Sequence, residues 1–416
     1  MKKLMTLSIA LMPMVLNAQS RPIPTRPMPR INPDMVRELP VPNIPELKKV
    51  AKLGYKYKGK LRFVRPSKTL VKARKSLKPR NDKELVSFHE FQMMTRSGHN
   101  MTKKLSLREL KKIGKVKLGF DGGFSPKIGR IPARPTNGAE VSESVFKRPD
   151  GNRPIRPIPR RPIPRRPIVN PNGIDHMDTN ETEWMDFDGT TKSIIPNSDS
   201  RVQVSGTNAY PWRAIGQVGS HCSGTLIGPR HVLTAAHCVY NIKTNSWYSN
   251  LDFTPGRNGT NGKPYGTISW KKVIAKTGYT RNHSSNYDWA IIILSQPIGK
   301  TVGWFGYGYN YSQLKLNLNT AGYPSDKSSS TMWHTYCAKT PFNYFSKRVS
   351  HQCDTWRGQS GSAMWVYKKP NYRSIRAVHT SGTGSLWASS TSSKNGGVII
   401  NSYMFNTLQR WKRQNP

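Results

Sequence analysis

The stretch TLIGPRHVLTAAHCVY (225–240) joins two short apolar runs through a turn and carries a histidine, His237, near its end. Similar runs, such as AIGQV, WAIIIL, GSAMWVY and GGVIIN, recur from about residue 201 onward, punctuated by Asn-Gly and Pro-Gly pairs. Many short strands with close turn signals predict an all-β barrel or sandwich. The last stretch, SYMFNTLQRWKR (402–413), predicts a helix because its large apolar residues recur near one face.

Two further stretches complete a set of residues suited to acyl transfer. NYDWAIIIL (286–294) contains Asp288, and CDTWRGQSGSAMW (353–365) contains Ser360. A serine hydroxyl is a poor nucleophile, so the reaction needs a base beside it and a carboxylate that orients this base. We therefore predict that His237, Asp288 and Ser360, in this chain order, form a catalytic triad.

Glycines flank the predicted nucleophile. Ser360 lies in the sequence GQSGS, which begins at Gly358. Gly358 allows a backbone N–H to turn inward, and with the N–H of Ser360 it is predicted to form an oxyanion hole. A lone His, Asp or Ser is usually structural or solvated, and it is the sequence around each residue that favours catalysis here.

The N-terminus has the layout of a secretory signal peptide. Two lysines precede an apolar run over residues 4–16, and small residues follow up to Ala18. We predict a signal peptide over residues 1–18 and a secreted protein, extracellular or periplasmic. The alternative is a membrane anchor, for which the apolar run is short.

Composition changes sharply near residue 192. Residues 19–192 hold 39 Lys+Arg and 17 Asp+Glu, whereas residues 193–416 hold 25 and 5. Of the 32 prolines, 22 precede residue 193, many in two Arg-Pro segments at 21–30 and 153–168. Such proline density forbids helix and favours an extended, stiff chain. We therefore predict a basic Pro/Arg-rich propeptide and linker over 19–192 and a globular domain over 193–416.

The basic region has two interpretations. Its charge suits adhesion to an anionic surface or nucleic acid, although no ordered nucleic-acid motif accompanies it. The interpretation that we favour is a solvated pro-segment that is later discarded. Within this region, residues 83–94 and 105–117 are candidates for short amphipathic helices.

The C-terminal half resembles the chymotrypsin-fold serine proteases and, within them, the bacterial glutamyl endopeptidases. The resemblance covers about residues 193–416 and implies two six-stranded antiparallel β-barrels with the active site between them. It also implies serine endopeptidase activity, with the three residues above as the triad. The stretches that carry the resemblance, besides those around the triad histidine and aspartate, are AYPWRAI (209–215), TPGRNGT (254–260), PYG (264–266), PIGKTVGWFGY (297–307), AGYPSDK (321–327), DTWRGQSGS (354–362) and AVHTSG (377–382).

Three residues near Ser360 depart from related patterns. Trypsin-type enzymes carry an Asp before the nucleophile to receive a new N-terminal ammonium, whereas this chain has Gln359, as the glutamyl branch does. Arg357 replaces a residue that is usually small in that branch, and Ala363 replaces a frequent proline. The resemblance gives no alignment before residue 193.

All four cysteines lie in the C-terminal half. An even, low count in an exported chain suggests two disulfides. The resemblance implies a bridge between Cys222 and Cys238 that closes the loop of the triad histidine. A bridge between Cys337 and Cys353 then follows by elimination.

The resemblance also implies a pocket for a glutamate side chain. In the glutamyl branch a Thr five residues before the nucleophile and a His on a nearby strand line this pocket, and here they are Thr355 and His379. Both can donate hydrogen bonds to a carboxylate. The stretch SIIPNSDSRVQV (193–204) resembles the mature start of such enzymes, so cleavage after Lys192 would place the Ser193 ammonium near the pocket.

Glutamate itself is distributed unevenly in the chain. Residues 193–416 contain none, and all nine glutamates precede residue 184. A protease that cuts after Glu would avoid self-digestion in this way, although a general bias against acidic residues is the alternative explanation. Two other functions stay open: a serine protease of different specificity, and a basic surface-binding protein on a protease fold.

We expect protein or peptide substrates that contain Glu, and a monomeric enzyme. No residue pattern calls for a cofactor or a metal, and no specific nucleic-acid partner is expected. Contact with an anionic surface through the Arg-Pro segments remains open.

Overall fold

The structure is a computed structural model that describes residues 39–63, 90–106, 109, 119–125, 199–309, 315–343, 347–368, 372–382 and 395–416. The predicted signal peptide, both Arg-Pro segments, and Lys192 and Ser193 lie outside these residues.

Strands make up most of the regular structure, as the sequence predicts. The strands before the first barrel are β1 Lys56–Lys60, β2 Glu90–Thr95, β3 His99–Lys104, β4 Gly119–Asp121 and β5 Val202–Gln203. Those of the first barrel region are β6 Ile215–Val218, β7 Cys222–Gly228, β8 His231–Thr234, β9 Tyr240–Asn241, β10 Ser246–Trp247, β11 Phe253–Pro255, β12 Trp270–Lys276 and β13 Ala290–Leu294. The remaining strands are β14 Gly306–Tyr309, β15 Lys315–Gly322, β16 Trp333–Asn343, β17 Arg348–His351, β18 Ala363–Lys368, β19 Tyr372–Ser381 and β20 Asn395–Ile399.

Six antiparallel strands form the first barrel, in the order β12-β13-β8-β7-β6-β11. A bridge between Phe253 of β11 and Ile268, just before β12, brings the two ends of this order together. Strand β13, with the sequence AIIIL, is buried along its whole length. Its three isoleucines suit this position because β-branched side chains pack well on a pleated, buried surface.

The second barrel is a closed ring of six antiparallel strands. Its order is β15-β16-β17-β20-β19-β18, and β18 closes the ring by pairing with both β15 and β19. Strand β14 adds to β19 in parallel, and β5 pairs with β16. The prediction of two six-stranded antiparallel barrels is confirmed.

Four α-helices lie in the described part of the chain: α1 Pro45–Lys52, α2 Thr277–Thr280, α3 Gly299–Val302 and α4 Ser402–Gln414. The predicted C-terminal helix is therefore confirmed. The side chain of Asn401 caps α4 by accepting the Met404 N–H over 2.9 Å. Among the described residues, no helix has the length and apolar character needed to cross a membrane.

The described segments before residue 193 are packed against the barrels and not solvated. They share one compact unit, Leu39–Pro416, with the rest of the described chain. Strand β2 pairs with β12 of the first barrel, β3 pairs with β2, and β1 pairs with β3. Strand β4 pairs with β14. The expectation that these residues are solvated is therefore wrong, and the later removal of a pro-segment stays a prediction.

The two helices predicted in this region also need correction. The predicted helix over 83–94 is wrong where it is described, because Glu90–Thr95 form β2 and residues 83–89 lie outside the description. Residues 90–95 pair on both sides, with β3 and with β12, and such tertiary pairing outweighs local periodicity. Of the predicted helix over 105–117, only residue 109 is described as helical.

Candidate active site

Two neighbouring strands of the first barrel bring His237 and Asp288 together. Strands β8 and β13 are antiparallel, with Thr234 opposite Ala290. His237 follows Thr234 in a short 3-10 turn, and Asp288 ends another such turn just before β13. Because the end of β8 lies beside the start of β13, residues 51 apart in the sequence meet at one rim of the barrel.

The Asp288 carboxylate holds His237 at two points. One oxygen lies 2.8 Å from Nδ1 of the ring, and the other accepts the His237 backbone N–H over 2.9 Å. The two side chains are only 12% and 6% exposed. This arrangement fixes the ring orientation and favours the tautomer with its proton on Nδ1, which leaves Nε2 to accept a proton.

The Ser360 loop, which leads into β18 of the second barrel, is tied to the first barrel. The Ser360 carbonyl accepts the backbone N–H of Ser223 in β7 over 2.8 Å. The neighbouring Cys222 is bonded to Cys238, the residue that follows His237. The loops of Ser360 and His237 are therefore both anchored to the start of β7.

The hydroxyl of Ser223 strengthens this anchor. It donates to the Gly358 carbonyl over 2.8 Å and accepts the N–H of Tyr323 over 3.0 Å. Two segments of the second barrel region thus meet on one serine of the first barrel.

The turn before Ser360 presents two backbone amides. Gly358 has φ +88°, a conformation that L side chains rarely adopt, and a Cβ there would collide with the Tyr323 carbonyl oxygen. Within the described residues, no acceptor receives the N–H of Gly358 or of Ser360. Two amides without an acceptor in one tight turn are suited to bind a developing oxyanion.

Thr355 and His379 are both buried near this loop. Thr355 is fully buried, and its hydroxyl has no hydrogen-bond partner among the described groups. His379 is hydrogen-bonded through its backbone to the nucleophile loop, since its carbonyl accepts the Gly361 N–H and its N–H donates to the Ser362 carbonyl, each over 2.9 Å. A buried hydroxyl without a partner is costly unless a ligand satisfies it.

His379 is paired with a second histidine that the sequence analysis missed. Its Nδ1 lies 3.1 Å from Nε2 of His351 in β17, and both rings are buried. Burial, and then the neighbouring His351, holds the pKa of His379 well below its ordinary value. Burial likewise lowers the pKa of His351 to about 3. Both rings are therefore neutral at neutral pH, and one proton lies between them.

The chain enters the protease domain next to Thr355. The backbone N–H and the hydroxyl of Ser200 both donate to one oxygen of Asp354, over 2.8 and 2.6 Å. Asp354 directly precedes Thr355. Ser193 lies outside the described residues, only seven positions before this anchor.

The structure contains the two disulfides that were expected, Cys222–Cys238 and Cys337–Cys353. The second joins β16 to the residue before Asp354. It therefore fixes the segment that leads into the Ser360 loop.

Comparisons with known proteins place the chain in a family. The sequence profile of the family described as Trypsin matches residues 201–407. A glutamyl endopeptidase of Bacillus licheniformis is 38% identical over 232 residues, which cover 53% of this chain and 69% of that protein. The chain belongs to the trypsin family of serine proteases. It is a serine endopeptidase related to glutamyl endopeptidases.

Two other matches accompany this trypsin-family assignment. A Bacillus subtilis protein named extracellular metalloprotease is 33% identical over 234 residues, covering 53% of this chain and 71% of that protein. A solved structure of a Glu endopeptidase in complex with MPD is 27% identical, covers 53% of this chain and all of that one, and has a TM-score of 0.46.

Two groups of three side chains that could ligate a metal occur within the described residues: Cys222, His237 and Cys238, and Cys337, His351 and Cys353. In each group the two cysteines are bonded to each other. A disulfide sulfur is not the thiolate that binds metals, so neither group offers cysteine ligands in this state.

Sequence reasoning also missed a buried cation close to Gln359, the residue before Ser360. The side chain of Arg201 is fully buried and pairs with Asp199 over 2.7 Å and with Asp326 over 2.5 Å. Gln359 is fully buried and accepts the N–H of Trp356 over 2.9 Å. Its side-chain oxygen lies 3.5 Å from the Arg201 guanidinium, so the position next to Ser360 faces a buried arginine.

Proposed function

We propose that this serine endopeptidase is secreted and cleaves peptide bonds after Glu. Ser360 acts as the nucleophile, His237 as the general base and Asp288 as the carboxylate that orients it. The N–H groups of Gly358 and Ser360 bind the oxyanion. The observation that best supports the triad is the two-point contact between Asp288 and His237.

In this proposal, His237 Nε2 removes the proton of the Ser360 hydroxyl as the oxygen attacks the substrate carbonyl. The imidazolium that forms is stabilised by Asp288 and then donates its proton to the leaving amine. Negative charge on the former carbonyl oxygen is stabilised by the two amides of the glycine turn, which need no rearrangement to receive it. Water then repeats the same steps on the acyl-enzyme.

Glutamate specificity is supported by the buried hydroxyl of Thr355 and the histidine pair. A glutamate carboxylate would accept a hydrogen bond from Thr355 and another from Nε2 of His379, with His351 holding the His379 ring through Nδ1. A charged group that enters a buried pocket must be paired, so apolar or uncharged side chains gain less there.

The mature N-terminus would supply a third donor. We place cleavage between Lys192 and Ser193, and seven residues of extended chain span at most about 24 Å. Because Ser200 is fixed beside Thr355 through Asp354, the Ser193 ammonium is within reach of the pocket. N-terminal sequencing of the secreted protein tests this cleavage point, and an uncleaved precursor is expected to be nearly inactive.

The test of specificity is the ratio of kcat/KM for two peptides that differ only in Glu or Gln before the scissile bond. Loss of a charge-assisted hydrogen bond costs about 1.5–3 kcal/mol, so we expect a ratio of about 10 to 100. A ratio near one, or a preference for Lys or Arg, would overturn the glutamate pocket.

Activity that persists in excess chelator, together with labelling of Ser360 by an organophosphonate, would separate the serine mechanism from a metal-dependent one.

A further inference from the structure

The segments before residue 193 extend the first barrel by three strands. Strand β2 pairs with β12 over five positions, from Thr95 opposite Lys272 to Phe91 opposite Lys276. Strands β3 and β1 continue the sheet outward, so that β12 lies inside a nine-stranded sheet. An exposed edge strand is an aggregation hazard, and β2 covers this edge of the barrel.

This docked segment, defined as the described residues of 39–125, shares its apolar core with the barrel. The ring of Phe91 meets Trp411 of α4 edge-on, with 5.1 Å between ring centroids. A contiguous apolar patch marks an interaction surface when it is uncovered. The buried apolar residues that the docked segment contributes to the common core are Leu47, Val50, Tyr55, Tyr57, Phe91, Met93, Met94, Met101 and Leu105.

A buried lysine lies at the junction. Lys276 of β12 is fully buried, with its ammonium 4.4 Å from the ring centroid of Phe91 and 4.5 Å from that of Tyr403 in α4. Burial lowers the pKa of Lys276 well below its ordinary value. One wall of this aromatic cage comes from the docked segment, so that undocking would open the lysine to water.

Polar contacts fix the register of the docked strand. Glu90 pairs with Arg281 over 3.0 Å, and its carbonyl accepts the Thr277 hydroxyl over 3.0 Å. The Thr280 hydroxyl donates to the Gln92 side chain over 2.8 Å. These contacts are specific to one alignment and are made with α2, between β12 and the turn that leads to Asp288.

A second contact area lies on the other side of α4. Strand β4 pairs with β14, and the Asp121 carboxylate accepts from the Lys412 ammonium over 2.8 Å. In the described part of the chain, no hydrogen bond, ion pair or ring contact joins the docked segment to Ser360, Thr355 or His379. The described contacts of the segment therefore lie away from these three residues.

We propose that the docked segment stays bound as a second, non-covalent chain of the mature protease after the linker is cut. The proposal rests on cleavage after Lys192, since an uncut chain would keep the segment by covalent connection. The pro-region would then be a permanent subunit that covers the β12 edge, and not a discarded inhibitor.

The test makes the cut independently of natural processing. Full-length Ser360→Ala protein receives one recognition sequence for a site-specific protease between residues 168 and 169. After complete cleavage, the two fragments are run on gel filtration at about 1 μM, where only complexes of micromolar Kd or tighter stay together. We expect both fragments in one peak at equal amounts. Separate peaks would overturn the proposal, whatever N-terminal sequencing of the wild-type enzyme reports on Lys192.

Variants locate the interface. Phe91→Ala should raise the Kd of the cleaved pair at least tenfold, because it removes one wall of the lysine cage and a ring from the shared core. Leu61→Ala is the matched control, since Leu61 is 41% exposed in the same segment and should leave the Kd unchanged. If Phe91→Ala fails to fold, Glu90→Arg should weaken the pair, and adding Arg281→Glu should restore it. A pair as tight in these variants as in the control would overturn the proposed interface.

Discussion

The two barrels of this protease differ in what they contribute to the candidate site. The first barrel provides His237 and Asp288, and its outer edge is completed by the docked segment. The second barrel region provides Ser360 and the proposed pocket residues Thr355 and His379, and the barrel closes on itself. In the proposed function, the first barrel therefore sets the protonation state of the base and the second barrel selects the substrate side chain.

The largest expected effect, on kcat, tests whether Ser360 and His237 act in the same catalytic step. Ser360→Ala and His237→Ala should each lower kcat by about a millionfold, and the double variant should lose no more than either alone. Unchanged circular dichroism spectra and disulfide content serve as the control for folding. Additive losses in single-turnover assays would show that the two residues do not share a step.

Asp288→Asn should lower kcat by about ten-thousandfold, because an amide cannot hold the His237 tautomer that accepts a proton at Nε2. The loss should be equal for Glu and Gln peptides, since in the proposed function Asp288 makes no contact with the substrate side chain. A loss confined to Glu peptides would break the proposed division between the barrels.

His379→Ala should lower kcat/KM for Glu peptides by about 100-fold, the effect of losing a hydrogen bond to a charged group. Residual cleavage after apolar residues should change little, in contrast to the aspartate variant above. Thr355→Val preserves shape and removes only the hydroxyl, so it is the matched test of the second donor. Equal losses for both peptide classes would assign His379 a structural role.

The smallest expected effect is a loss in the free energy of unfolding at mildly acidic pH. Burial lowers the pKa of His334 and of His351 to about 3, and the pKa of His221 to about 4. An unfolded histidine binds a proton below pH ~6.5, whereas these folded histidines do not until the pH is much lower. Stability should therefore fall as the pH drops from 6.5, by up to about 2 kcal/mol per histidine at pH 5.

Denaturant unfolding at pH 7 and pH 5 measures this loss. His334→Gln should reduce the difference between the two pH values by the contribution of one histidine, because Gln at this position cannot take up a proton. A pH dependence that is identical in the variant would show that His334 does not titrate on unfolding.

The strand pattern predicted an all-β barrel or sandwich because many strands carry their own signal, whereas the division into two six-stranded barrels was implied by the family resemblance. AIIIL at β13 is a short apolar run between turn signals, and α4 has apolar residues at helical spacing. The residues of the predicted triad were identified by their flanking motifs, and the structure places His237 against Asp288. Neither stretch alone indicated the register of β8 and β13 that makes this contact.

The docked segment was not predictable in the same way. The sequence EFQMMT has no β-branched residue except its last, and its periodicity suited a helix equally well. It becomes a strand because β12 and β3 pair with it on both sides, and β-propensity depends on such neighbours. His351 escaped notice for a related reason, since only the pairing of β17, β20 and β19 brings it to His379.

Ser223 has a consequence for engineering. This one residue receives the Tyr323 amide and binds the carbonyls of Gly358 and Ser360. In a chimera that takes its two barrels from different relatives, Ser223 would come from one parent, and Tyr323, Gly358 and Ser360 would come from the other. Recombination libraries should therefore inherit Ser223 and the 358–360 turn from the same parent, and saturation of position 223 should return serine almost alone among active clones.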